Sequence, residues 1–221
     1  IGHASTPNSI VTGANTASSG VILVYAVYAT THQINVGATN GSVGNLIANI
    51  TQTSTGTAAT LRGIEVFNTY YGMVQVNGNT VRNLSSATTY TGSGMYAALV
   101  GIYHASYFVG QKVSLNTISN LTASSNAPVS ITGIFFSNYN SNASLHNEVS
   151  KNSIQKLESG AIGGTAPQMN GIELYNPSSS GYYVANAFNN MISLGSTVPQ
   201  NAVIRGICIN GYNGMYYPPH V

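Results

Sequence analysis

The chain has 221 residues and only ten charged ones, three Lys, three Arg and four Glu, with no Asp; mean hydropathy is +0.09. An ordinary soluble domain is about a quarter charged. A disordered segment needs low hydrophobicity and high net charge, nucleic-acid binding needs a basic footprint, and a Ser-His-Asp triad or Asp-based metal cage needs Asp, so all of these are excluded. In place of charge stand 26 Asn, 26 Ser, 21 Thr and 24 Gly, with 15 Tyr and no Trp.

Residues 1–40 read as an irregular N-terminal coil. Their longest apolar stretch, Val21 to Ala29, has nine residues. A membrane-crossing helix needs roughly 20, so no membrane insertion is expected. The opening residues carry no basic and apolar signal-peptide regions. Residues 41–210 hold a repeat with three parts. One is an apolar-x-Gly-Ile unit: Leu61-Arg62-Gly63-Ile64, Leu99-Val100-Gly101-Ile102, Ile131-Thr132-Gly133-Ile134, Met169-Asn170-Gly171-Ile172 and Ile204-Arg205-Gly206-Ile207. Gly20-Val21-Ile22-Leu23 reads as a weaker first copy. The second is an Asn-led unit beginning at Asn45, Asn79, Asn116, Asn152 and Asn190, at intervals of 34, 37, 36 and 38 residues. The third alternates with period two just before each such Asn, as in Met73-Val74-Gln75-Val76 and Lys112-Val113-Ser114-Leu115. Residues 211–221 form a C-terminal tail, and the whole is read as a single domain.

Three short β-branched segments per period of roughly 36 residues, separated by Gly, Asn, Ser and Thr turns, predict an all-β, right-handed parallel β-helix of about five to six coils. Helical repeats need runs of helix formers that are absent, and propeller blades need a fourth strand. The Asn-x-Ile-x-Asn-Leu and Gly-Ile repeat, over roughly residues 40 to 210, resembles the right-handed β-helix repeats of large secreted or surface proteins of Bacteroidota. Many of those are exported by the type IX system and are adhesin-like. No C-terminal sorting domain or polar cap is recognised, so the chain reads as a piece of a longer repeat protein.

In a β-helix, equivalent residues stack about 4.8 Å apart. Asn45, Asn79, Asn116, Asn152 and Asn190 are therefore expected to form a structural ladder at a coil corner, in the left-handed conformation that Asn tolerates. A second column runs Asn49, Asn83, Asn120, Lys156 and Leu194. Its three Asn, with Asn40 and Asn142, sit in Asn-x-Ser/Thr sequons; ladder formation explains the repetition and glycosylation does not. The slot after Gly-Ile (Glu65, Tyr103, Phe135, Glu173, Cys208) is expected to face outward by alternation. Glu65 and Glu173, three coils apart, would be separated by about 14 Å, too far for a glycosidase pair. Arg62 is placed to pair with Glu65. His104 occupies an inward slot filled elsewhere by Val66, Phe136, Leu174 and Ile209, and reads as a core residue. Tyr107, Tyr139 and Tyr212 lie six residues after the repeat Gly, with Tyr70 and Tyr175 nearby. Such a file would either stack on sugar rings or pack coil on coil. No catalytic residue, metal ligand set or cofactor is assigned.

The composition and repeat predict a non-catalytic structural or adhesive module, and the resemblance implies that it is extracellular or on the cell surface. Its expected partners are polysaccharide or other cell-surface components, adjacent repeats of a parent chain, or itself. The alternatives are a polysaccharide lyase or hydrolase of β-helix fold, whose acidic cluster has no counterpart among four dispersed Glu, and an ice-binding array. Thr53, Thr55, Thr57 and Thr60 suggest the latter, but the array is not repeated in later coils.

Overall fold

The computed structural model describes residues 11–12, 19–25, 28–38, 44–69, 71–107, 110–138, 146–162, 164–177, 185–194 and 201–211. β1 (Val11–Thr12), β2 (Ser19–Tyr25) and β3 (Tyr28–Gly37) open the chain. β4 (Leu46–Gln52), β5 (Leu61–Thr69) and β6 (Tyr71–Asn77) follow, then β7 (Thr80–Ser86), β8 (Leu99–Ser106) and β9 (Lys112–Ser114). Next come β10 (Thr117–Ala123), β11 (Ile131–Asn138), β12 (Glu148–Ser150), β13 (Ser153–Ser159), β14 (Gln168–Asn176) and β15 (Asn186–Phe188). β16 (Met191–Ser193) and β17 (Val203–Gly211) close the described set. A three-residue 3-10 turn, Gly94–Tyr96, precedes β8.

Every third strand joins the same sheet. Sheet A runs β1-β4-β7-β10-β13-β16, sheet B β2-β5-β8-β11-β14-β17 and sheet C β3-β6-β9-β12-β15. The pairing given between neighbours in each sheet is parallel. The result is a β-solenoid of about four turns, with about 37 residues per turn. The five Asn-led copies delimit those four turns, whereas counting copies suggested five to six coils. β1–β3 and β17 continue the sheets beyond them.

Inward-facing columns from the three sheets meet along the axis. In sheet B, Leu61, Leu99, Ile131 and Met169 form one and Ile64, Ile102, Ile134 and Ile172 another, all essentially fully buried. Sheet A contributes Ile47, Val81, Ile118 and Ile154 with Ile50, Leu84, Leu121 and Leu157, and sheet C contributes Val76, Val113 and Val149. Strict alternation would place only every second residue inside. Sheet A escapes it because Asn49, Asn83, Asn120 and Lys156 adopt positive φ of 53 to 59° between the two inward residues. That left-handed kink lets positions three apart both face the core. At the repeat glycine, sheets A and B come too close for a side chain. A Cβ on Gly133 would lie 2.6 Å from the Gly171 carbonyl oxygen and 2.7 Å from Ile154 Cγ2.

Candidate functional site

The Asn-led corner joins sheet C to sheet A. The residue in the left-handed region is the one before the leading Asn: Gly78, Leu115, Lys151 and Asn189, with φ of 64, 59, 55 and 53°. The expectation that the leading Asn itself takes this conformation is therefore corrected. The left-handed step turns the chain, and the following Asn points inward, where its amide satisfies the turn. Asn79 Nδ2 donates to Val36 O (2.8 Å) and to Asn116 Oδ1 (3.0 Å), and its backbone N–H donates to the same Oδ1 (2.9 Å). Asn116 repeats the pattern on Val76 O and Asn152 Oδ1, and Asn152 on Val113 O and Asn190 Oδ1. Asn45 donates to Asn79 Oδ1 at 2.9 Å. On the outside of sheet A a second file connects Asn120 to Asn83 and Asn83 to Asn49, each at 2.8 Å.

Two other corners are plugged by polar groups that no repeat marks. Gln111 accepts the Val74 N–H at 2.9 Å, donates to Gly72 O at 3.0 Å, and has its own N–H bonded to Asn147 Oδ1. Gln52 accepts from Ser86 Oγ at 2.6 Å and donates to Thr60 O at 2.9 Å. The Gln52 slot reads Gln52, Ser86, Ala123 and Ser159 down the coils, and no glutamine recurs in either slot, so periodicity alone does not reveal them. The pairing of unlike polar types at one register is the signal that was available.

The outer face of sheet B carries the chain's most varied chemistry. Register places Glu65, Tyr103, Phe135, Glu173 and Cys208 side by side. They point away from the solenoid core, yet all are buried. The outward direction expected from alternation is what is found, and over β11 and β14 a covering segment helps to bury it. The Gly94–Tyr96 turn lies against β11 and β14, and Ala97 packs with Val100, Tyr103, Ala105 and Phe135 in a second apolar cluster. A methyl on Gly94 would come within 3.1 Å of Glu173 Oε1.

Beneath that cover the rings stack face to face. Tyr103 and Phe135 have centroids 4.8 Å apart at 11°, and the Arg62 guanidinium lies 3.8 Å from the Tyr103 centroid while pairing with Glu65. Glu173 receives Nδ2 hydrogens from Asn170 and Asn210, each at 2.8 Å. Glu65 and Glu173 are thus three strand spacings apart with two aromatic rings between them, about 14 Å. Arg205, one coil beyond, donates to Gln168 Oε1 at 3.2 Å. Burial, with the Glu173 carboxylate adding to it, pushes the Cys208 thiol up against a smaller pull from Arg205. A thiol held protonated is a poor nucleophile or metal ligand. Thr132 and Ser137, flanking Phe135 on β11, bury hydroxyls that have no hydrogen-bond partner among the described residues.

Of the five tyrosines, the two described, Tyr107 and Tyr175, do not share one register position. Tyr70, Tyr139 and Tyr212 lie outside the described residues. Tyr175 pairs in register with Ser137, and through it with Ala105, whereas Tyr107 stands two residues further along than Ala105. Tyr175 instead tilts onto Phe135, with centroids 5.9 Å apart. It is half-buried and borders the covered cluster.

His104 sits in the inner column between Val66 and Phe136, stacked on Phe136 at 4.9 Å. Burial lowers its pKa from 6.5 to about 4; its own backbone, the Val74 backbone and the Gln111 side chain pull the other way. Among the described residues neither ring nitrogen has a partner at hydrogen-bonding geometry. In sheet C, Lys112 pairs with Glu148 at 3.0 Å. Burial would raise Glu148, but the Ser150 hydroxyl and Lys112 outweigh it and hold the carboxyl below its usual range. Among the described residues no three His, Cys, Asp or Glu side chains converge on one point. Comparison with family models, with curated proteins and with solved structures finds no match.

Proposed function

We propose that the chain is a non-catalytic structural or adhesive β-helix module of the extracellular space or cell surface, of the kind its repeat resembles in type IX-exported surface proteins of Bacteroidota. The observation that carries this reading is where the polar side chains are directed. The Asn ladder, the Gln111 and Gln52 plugs and the two glutamates of sheet B are bonded to the protein itself, coil to coil or within a strand. Such side chains hold a rod together and leave its exterior to contact by shape and hydrogen bonding. The glycan-binding part of the proposal rests on the half-buried Tyr175 beside Asn210 and on the Asn49, Asn83 and Asn120 file, in which Asn83 is exposed and the other two half-buried. An aromatic ring bordered by amides suits the apolar face and hydroxyl rim of a sugar.

The test is a glycan array with the purified protein, with release of new reducing ends assayed in parallel. The module reading expects retention on polysaccharide without release, and unchanged retention in the Glu65→Gln/Glu173→Gln double variant. Reducing-end release that disappears in that variant would sink it in favour of a lyase or hydrolase.

A further inference from the structure

Sheet C is the weakest seam of the solenoid. β9 pairs with β6 over three positions, whereas β8 pairs with β5 over seven and β10 with β7 over six. Ahead of those three positions the β6 backbone is held by one side chain. Gln111 Oε1 accepts the Val74 N–H at 2.9 Å and Nε2 donates to Gly72 O at 3.0 Å, with Gln111 itself fully buried. On β8, the strand before this corner, His104 is also fully buried, between Val66 and Phe136 in the inner column. Among the described residues neither of its ring nitrogens has a partner. The Val74 backbone and the Gln111 side chain, already bonded to each other, are among the groups that favour a proton on the ring, and burial opposes them more strongly.

We propose that His104 and Gln111 form an acid-operated latch that opens the corner between sheets B and C while the rest of the solenoid stays closed. A protonated imidazole has two N–H donors and must find acceptors or water. Gln111 Oε1 can serve it only by giving up the Val74 N–H, and the two β6 backbone groups then lose the side chain that holds them. With so short a pairing beyond them, the corner opens as a local unit and the charged ring is hydrated. Among the described side chains no charged or titratable group faces the ring from the strands packed against it. Arg62 and Glu65 of β5, Tyr103 of β8 and Arg82 of β7 lie on outer faces, and Lys112 of β9 is turned to Glu148. β10 and β11 carry none. The Asn ladder at the far end of sheet C is joined by amides that do not titrate, so that side keeps its bonds in acid. The ring's pKa is about 4 with the corner closed and returns to the ordinary 6.5 once hydrated. Opening is therefore favoured as pH falls, by about twentyfold from pH 7 to pH 5 and about a hundredfold by pH 4. This holds whether or not the outer face binds polysaccharide.

Hydrogen–deuterium exchange of the intact chain, read by mass spectrometry and corrected for the intrinsic pH dependence of exchange, tests the latch. Protection over residues 72–76 and 111–113 is expected to fall about twentyfold between pH 7 and pH 5, while β7 and β10 keep theirs. His104→Phe, which continues the ring stack of Phe136, should give the same corner protection at both pH values. Gln111→Met, which keeps the length of the side chain without its donor or acceptor, should lower protection at the corner already at pH 7 and leave β10 unchanged. Protection that falls equally in β7 and β10 would show the whole solenoid opening and overturn the proposal. So would a corner whose protection is the same at pH 7 and pH 5, or a pH response that survives in His104→Phe. Unchanged corner protection in Gln111→Met would remove Gln111 from the latch and overturn it as well.

Discussion

On the inner face of sheet B one column reads Ile64, Ile102, Ile134, Ile172 and Ile207; one residue along, on the outer face, the column reads Glu65, Tyr103, Phe135, Glu173 and Cys208. Both are buried up to the last coil, but by different means. The inner slots face two other sheets at a distance set by the solenoid, so one volume recurs and glycine is required where the sheets nearly touch. The outer slots of β11 and β14 are covered by the Gly94–Tyr96 turn, and the residues of the outer column are individual. A carboxylate there is satisfied by Asn170 and Asn210, and a ring by the next ring. Repetition is thus imposed by neighbours that repeat, and the outer face is where this chain departs from its own pattern.

The sharpest break of that contrast uses one strand, β11. Gly133→Ala pushes a methyl against the Gly171 carbonyl and Ile154 on the inner side and is expected to cost about 3 kcal/mol in urea denaturation. Thr132→Val, on the outer side, removes a buried hydroxyl without a partner and is expected to be neutral or to stabilise by about 1 kcal/mol. Equal losses at the two positions would mean that the outer cover packs as tightly as the core.

His104 is the inner-face exception, a titratable ring in an apolar column. Its pKa in the folded state, about 4, lies below the ordinary 6.5, so the unfolded chain binds the extra proton first. Stability should therefore fall as pH drops from about 6.5 towards 4, by about 2 kcal/mol at pH 5. Glu148, held below its usual range, adds its own loss only as pH falls further. His104→Phe, which continues the ring of Phe136, should flatten the profile between pH 6.5 and 5 when chemical denaturation is followed at several pH values. A slope that persists in the variant would assign the acid sensitivity elsewhere.

The parallel solenoid and its three sheets were legible because the Gly-Ile and Asn-led units recur in phase. Each marks a place where the next coil dictates the residue. The left-handed position before the leading Asn was not legible, because Gly78, Leu115, Lys151 and Asn189 share a backbone angle and no chemistry. Gln111 and Gln52 were missed for a related reason, since an unrepeated side chain meets the hydrogen-bonding need of its corner. The Gly94–Tyr96 cover has no periodic trace, and alternation alone gave the outward direction of the column beneath it without its burial. Of the tyrosines expected near one place, Tyr175, four residues after its glycine, does not align with Tyr107, six after its own.

The account holds that side chains bonded coil to coil keep the rod together, and a double-mutant cycle on Asn116 and Asn152 tests this most directly. Asn116→Ala leaves the Asn79 N–H and Val76 O without their partner and should cost about 2–3 kcal/mol. If the ladder is a connected file, adding Asn152→Ala costs less than it does alone, with a coupling of about 1–2 kcal/mol by urea denaturation. Losses that simply add would show each Asn serving its own turn alone, and would contradict the ladder.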